Sequence, residues 1–129
     1  MVPRFLSTEW IAAVGAIAAT AQLDRDLPGS DLVLQQEVTG APDGTVCYRL
    51  RIGPGGISAE ANGEGQADIT MVTDYPTAVA IARGRLTAHE AARLGHLEAR
   101  GALDRIADIA PALARLAESL GPLREDTDW

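Results

Sequence analysis

Apolar and polar residues alternate in two successive runs, and a turn separates them. Leu32, Leu34, Gln36 and Val38 share one side of the first run. Val46, Tyr48, Leu50 and Ile52 share one side of the second, against Cys47, Arg49 and Arg51. Side chains two apart point the same way in a strand, so each run reads as a half-buried β-strand. Pro42-Asp43-Gly44 between them carries the residues of a hairpin turn, and a short turn joins only antiparallel neighbours. Two more strand patterns run from Ile57 to Asn62 and from Ala67 to Thr73, after the turns Gly53-Pro54-Gly55-Gly56 and Gly63-Glu64-Gly65. Links this short predict an antiparallel meander. Arg49, Arg51 and Glu60 leave one face wet, and the apolar face needs a cover. Only helices remain to supply it. The expectation is an α+β fold of two layers. Its sheet is five-stranded and mainly antiparallel, counting a short strand from His96 to Arg100, and helices cover one face.

The helices announce themselves by their ends. Ser7 is a good N-cap for a helix in which Trp10, Ala13, Val14, Ile17 and Ala21 recur at helical spacing. Arg4 and the small residues Ala19-Thr20-Ala21 also suit a signal peptide. Glu9 interrupts that run, which is mostly alanine, so a structural helix is favoured. A loop follows from Leu23 to Ser30, and its aspartates Asp24, Asp26 and Asp31 lack the ligand spacing of a calcium loop. Asp74 caps a short helix with Pro76 in its first turn, where a missing N–H costs little, and Gly84 ends it. Thr87 and Glu90 stand at capping-box spacing, predicting a second short helix from Ala88 to Leu94, closed by Gly95. The last helix runs from Ala102 or Asp104 to Leu120. Its stripe is Leu103, Ile106, Ala110, Leu113, Ala117 and Leu120, widened by Ile109 and Leu116. Pro111 predicts a kink or a restart near Asp108, and Gly121-Pro122 a stop. Residues 1–121 thus read as a single domain. Residues 122–129 read as an acidic tail, mobile from Arg124 onward, with Trp129 favoured as a loose end over an anchor folded across the apolar mouth.

Composition excludes several functions. The chain of 129 residues carries a formal charge of −7, and every basic side chain is arginine. That argues against non-specific nucleic-acid binding and against electrostatic docking on anionic membranes. No run reaches the roughly 18 apolar residues of a bilayer span, so no stable membrane insertion is expected and the expected setting is cytoplasmic. Cys47 is the sole cysteine, which precludes an intramolecular disulfide and a cysteine-based metal site. His89-Glu90-Ala91-Ala92-Arg93 starts like a zinc-protease helix but has arginine where the second histidine must stand. Gly53 to Gly56 lacks the Lys-Ser/Thr of a phosphate loop and precedes a strand. No serine sits in a strand-elbow-helix context. These absences lead to an expectation of no cofactor, no metal and no catalytic residues. An enzyme would have to work by shape plus one acid or base, such as Tyr48, His96 or Asp74.

From Ala67 to Gly101 the parts come in a telling order. An apolar strand ends in Asp74, and a short helix ends at Gly84. Leu86-Thr87 leads into Glu90, Ala91 and Ala92. Then come Gly95, a short alternating strand, Gly101 and a long amphipathic helix. This order resembles the sterol carrier protein type 2 family of sterol-binding and lipid-transfer domains, which includes stand-alone and fused bacterial members. Gly84, Leu86, Ala91, Gly95, Leu97 and Gly101 match the family's glycine–leucine pattern, and the resemblance extends over Leu32 to Leu120. The chain departs from the pattern at Ala92-Arg93-Leu94, where bulkier residues are usual, and at Glu98, in a strand that is often basic. The resemblance implies an apolar tunnel between sheet and helices, with the C-terminal helix near its entrance.

Physical chemistry points the same way. Aromatics are few, and the covering helices are rich in alanine, so the cover can leave a void. A dry apolar void binds apolar ligands, each methylene contributing roughly 0.8 kcal/mol. Candidate lining residues are Trp10, Val14 and Ile17 from the first helix and Leu34, Tyr48, Leu50, Ile69 and Met71 from the sheet. Val79 and Leu97 follow, with Leu113, Leu116 and Leu120 from the last helix. The expected function is non-catalytic binding and transfer of a fatty acyl chain, a sterol or an isoprenoid lipid. The alternative is an accessory module for a partner enzyme acting on apolar substrates.

Overall fold

The computed structural model describes residues 2–21, 26–62 and 65–129. The expected loop from Leu23 and the turn at Gly63-Glu64 therefore lie partly outside the described residues. In chain order the elements are α1 (Thr8–Thr20), β1 (Leu32–Ala41), β2 (Gly44–Gly53), β3 (Gly56–Ala61), β4 (Ile69–Asp74), α2 (Tyr75–Ala82), α3 (Ala88–Arg93) and β5 (Leu97–Gly101). A 3₁₀ turn at Leu103–Arg105 leads into α4 (Ile106–Ser119), and α5 (Gly121–Glu125) follows.

The sheet is five-stranded in the order β3-β2-β1-β4-β5. It is mainly antiparallel, as the alternation predicts, but it is not a meander throughout. β4 pairs with β1, and the pairing is parallel. The chain leaves the β3 edge and re-enters beside β1, so β1 becomes the central strand, between β2 and β4. Hydrogen bonding at the crossover is specific: the Asp68 N–H donates to the Val33 carbonyl at 2.9 Å, and the Val33 N–H donates to the Asp68 carboxylate at 2.7 Å. Arg49 lies on the outer face, where it was expected to be wet. Instead its guanidinium is buried, donating to Gln35 Oε1 and to the Gly65 carbonyl. The link from β3 to β4 therefore passes over the outer face at that point.

The register aligns the inner face. Leu34 stands opposite Leu50 and Ile69, and Leu32 opposite Ile52. These five side chains are almost wholly enclosed. Helices α1 and α4 cover them with Ile11, Val14 and Ala18 from the one and Ile109, Ala112 and Leu116 from the other. The buried stripe of α4 is thus centred on the two residues expected only to widen it, while Leu103 is exposed and Leu113 half-buried. Both readings have i, i+3, i+4 spacing, so helical period alone could not choose between them. The helix does not restart at Asp108: the break is the 3₁₀ turn before Ile106, and α4 continues as one helix through Pro111. Only one bond near the start of the helix is lost there. α4 ends at Ser119, just before Gly121-Pro122 as expected, and Pro122 then falls in the first turn of a further short helix, α5, which was not expected.

The caps follow the sequence. Ser7 accepts from the Trp10 N–H at 3.1 Å, and Thr87 and Glu90 form a full capping box. Asp74 accepts from the Thr77 N–H at 2.8 Å. Hydrogen bonds from Thr77 hold its carboxyl below the usual carboxylate range, and nearby His96 adds to this. A depressed folded-state value means that the carboxylate's contribution is complete above its unfolded value of about 4 and is lost as pH falls through the folded value. Asp74→Ala is expected to lose about 1 kcal/mol at pH 7. Urea unfolding of both proteins at pH 7 and pH 3 checks this, and the gap should narrow at the lower pH.

Candidate functional site

Toward the end of the sheet where β4 meets α2, the helical cover does not close. A cavity of about 200 Å³ remains between the sheet and the helices. Its floor is two rows of side chains set by strand register. Tyr48, Gln36 and Met71 form one row, and Val38, Thr73 and Leu97 the next. Ala78, Ile81 and Ala82 of α2 form its roof, with Ala117 and Leu120 from the end of α4 and Ala88 from α3. The chain termini supply the rest: Phe5, Leu6 and Trp10 from one end, and Leu123, Arg124, Thr127 and Trp129 from the other. Alanines make up most of this roof, and their short side chains leave the gap unfilled.

The last residues are not a mobile tail. Asp128 pairs with the N-terminal segment: its N–H donates to the Pro3 carbonyl, and its carbonyl accepts from the Phe5 N–H, each at 2.9 Å. Leu123 and Thr127 are buried. Arg124 ties α5 to two other helices, donating from Nε to the Ala82 carbonyl at 2.7 Å and from Nη2 to the Ala117 carbonyl at 3.0 Å. Trp129 is no loose end either. Its ring centroid is 4.8 Å from that of Phe5, and the Arg83 guanidinium lies over its face at 5.4 Å. The strap is acidic by composition yet held by backbone pairing and aromatic contact, neither of which has a pattern in the local sequence. Trp129→Ala is expected to lose about 2 kcal/mol, from the ring pair, the cation–π contact and the lost apolar area. Thermal unfolding measures it, and a loss under about 0.5 kcal/mol would mean that the strap is loose.

Of the residues expected to line a cavity, Trp10, Tyr48, Met71, Leu97 and Leu120 do border it. Val14, Leu34, Leu50, Ile69 and Leu116 do not: they are buried in the closed core beneath α1 and α4. Ile17, Val79 and Leu113 pack half-buried against that core. Pattern marks the inner face of an element but not how far along it the cover stops. Gln36 and Val38 could have been found, because they alternate in step with Leu34. Phe5, Thr127 and Trp129 had no such signal.

The site is chemically quiet. Burial pushes the Tyr48 phenol up to about 12, so it stays protonated. His89 and His96 are exposed. Cys47 is half-buried on the outer face, and burial together with the Glu37 carboxylate pushes its thiol up, away from the reactive thiolate. Among the described residues no group of three His, Cys, Asp or Glu side chains is placed to hold a metal ion, and no helix is long and apolar enough to cross a membrane.

With its five-stranded sheet, one parallel pair and helices over one face, the chain has the fold of sterol carrier protein 2 domains. No family model and no curated protein matches the chain. Solved structures do. A crystal structure of sterol carrier protein 2 matches with a TM-score of 0.73 at 23% identity, over 95% of this chain and 99% of the other. The solution structure of a conserved hypothetical protein from Thermus thermophilus gives 0.70 at 23% identity, over 98% and 92%. UbiJ-SCP2, a ubiquinone synthesis protein, gives 0.56 at 26% identity, over 86% and 90%.

Proposed function

We propose that the protein is a non-catalytic carrier of an apolar ligand, which it binds in the cavity beneath α2 and hands on. A fatty acyl chain, a sterol or an isoprenoid lipid has the required chemistry. The observation that supports this reading most is the cavity itself. Its lining is largely apolar, it sits between sheet and helices, and the terminal strap crosses it. At about 200 Å³ it lies below the roughly 300–1,000 Å³ typical of pockets for drug-sized ligands. The strap and α5 would then move outward to admit a whole lipid, since they lie outside the five-stranded sheet and are fastened through Asp128 and Arg124.

Native mass spectrometry of the freshly purified protein, paired with organic extraction, tests the proposal. A co-purified lipid at one per chain is the expected result. A clean unliganded chain that also takes up no fluorescent fatty acid would overturn it. A second reading keeps the fold without transfer: an accessory module for an enzyme acting on apolar substrates. The similarity to a ubiquinone synthesis protein favours it. Under that reading the chain is purified empty but co-elutes with an enzyme of lipid metabolism.

A further inference from the structure

The cavity floor is not uniformly apolar. Along β1 the inner face reads Leu32, Leu34, Gln36, Val38, so a glutamine occupies a position where the pattern calls for a hydrocarbon side chain. Gln36 stands opposite Tyr48 in the register, and the Trp10 ring centroid is 6.2 Å from that of Tyr48. All three border the cavity. Trp10 is only 6% exposed, and its Nε1–H is buried without a hydrogen-bond partner. Among the described residues, neither the Gln36 amide nor the Tyr48 hydroxyl bonds to another protein group. Three neutral hydrogen-bonding side chains thus border one corner of the floor, and among the described residues none of their polar groups finds a partner.

The indole N–H is already buried without a partner, while Gln36 and Tyr48 are half-buried, and a ligand that covers them decides whether all three are left unpaired, which is costly. A plain alkyl chain would strip water from the corner and offer nothing in return. A charged carboxylate would be poorly served, because all three groups are uncharged and a buried charge needs pairing. A neutral oxygen suits them. A carbonyl accepts from the indole and amide N–H groups, and a hydroxyl can also donate to the glutamine oxygen.

We propose that Gln36, Tyr48 and Trp10 form a polar recognition point, and that the ligand is a lipid bearing a neutral hydroxyl or carbonyl oxygen on the part that reaches this floor. This rests on the carrier reading above. The test compares decane, 1-decanol and 2-decanone as probes. Affinities come from titrations of nitrogen-15-labelled protein that follow the Trp10 indole N–H resonance. The alcohol and the ketone move that resonance downfield, and decane does not. In Gln36→Leu the ratio of 1-decanol to decane affinity falls roughly tenfold, the size expected for one or two buried hydrogen bonds lost. Tyr48→Phe, which removes only the hydroxyl oxygen, lowers the ratio by a smaller factor and keeps the fold should Gln36→Leu fail to keep it. If every probe binds but both variants leave the ratio within about twofold of the wild type, the recognition point is overturned and the carrier reading stands. If no probe binds the wild-type protein, both fall together.

Discussion

A Gly101→Ala variant is expected to lose at least about 3 kcal/mol and to accumulate as unfolded or insoluble protein. Two constraints act at this position. Gly101 has φ +101°, where an L side chain is strained. A Cβ there would also overlap the carbonyl oxygen of Asp68 and crowd Ile69. Asp68 cannot easily move. Its carbonyl accepts from the Ala102 N–H at 2.8 Å, and its own N–H and carboxylate both bond to Val33 of β1. A single methyl would therefore disturb the start of β4 and its parallel pairing with β1 at once. Gly44→Ala is the control. Its φ of +104° is equally unfavourable, but nothing lies within 4 Å of a Cβ there. It should lose only the backbone term, about 1 kcal/mol. Urea denaturation of both variants separates crowding from conformational strain. Equal losses would mean that the contact with Asp68 carries no weight.

The second large effect concerns binding. Ala82→Phe is expected to weaken lipid uptake at least tenfold while the midpoint of thermal unfolding stays level or rises. Ala82 sits in the last turn of α2, half-buried, at the roof of the cavity. A benzyl group there would occupy much of the roughly 200 Å³ available. Filling a hollow restores the packing contacts its lining lacks, so folding should not suffer. Only the ligand is displaced. Titration with a fluorescent fatty acid, beside calorimetry of the empty protein, reads both quantities. Unchanged binding in a stable variant would place the ligand somewhere else in the molecule.

These two residues differ in how readable they were. Gly101 belongs to the glycine pattern that carries the resemblance, and the turn into the last helix calls for it locally. Ala82 is one alanine among many, and only the packing of α2 over β1 and β4 gives it a position at the cavity. The same contrast runs through the site. Trp10, Tyr48 and Met71 were legible because periodicity puts them on inner faces. That rule applied equally to Leu34 and Ile69, which the structure places in solid core. Where the cover ends depends on the lengths and tilts of α1 and α4, and no residue on β1 encodes either.

What the sequence determined by itself is the set of short-range decisions: which runs are strands, which face of each is apolar, and where helices begin. Ser7, Asp74 and Thr87 cap through partners three residues away, and alternation along β1 and β2 acts over two. Such interactions are complete within a turn or a hairpin, so local residues suffice to specify them. The tertiary structure alone decided three things: that β4 lies parallel to β1, that α4 is rotated to bury Ile109 and Leu116, and that the terminal strap closes on Phe5. Each joins segments far apart in the chain, and each is chosen by how much surface the whole assembly buries. A choice of that kind is a property of the packed molecule, and no single stretch of its sequence contains it.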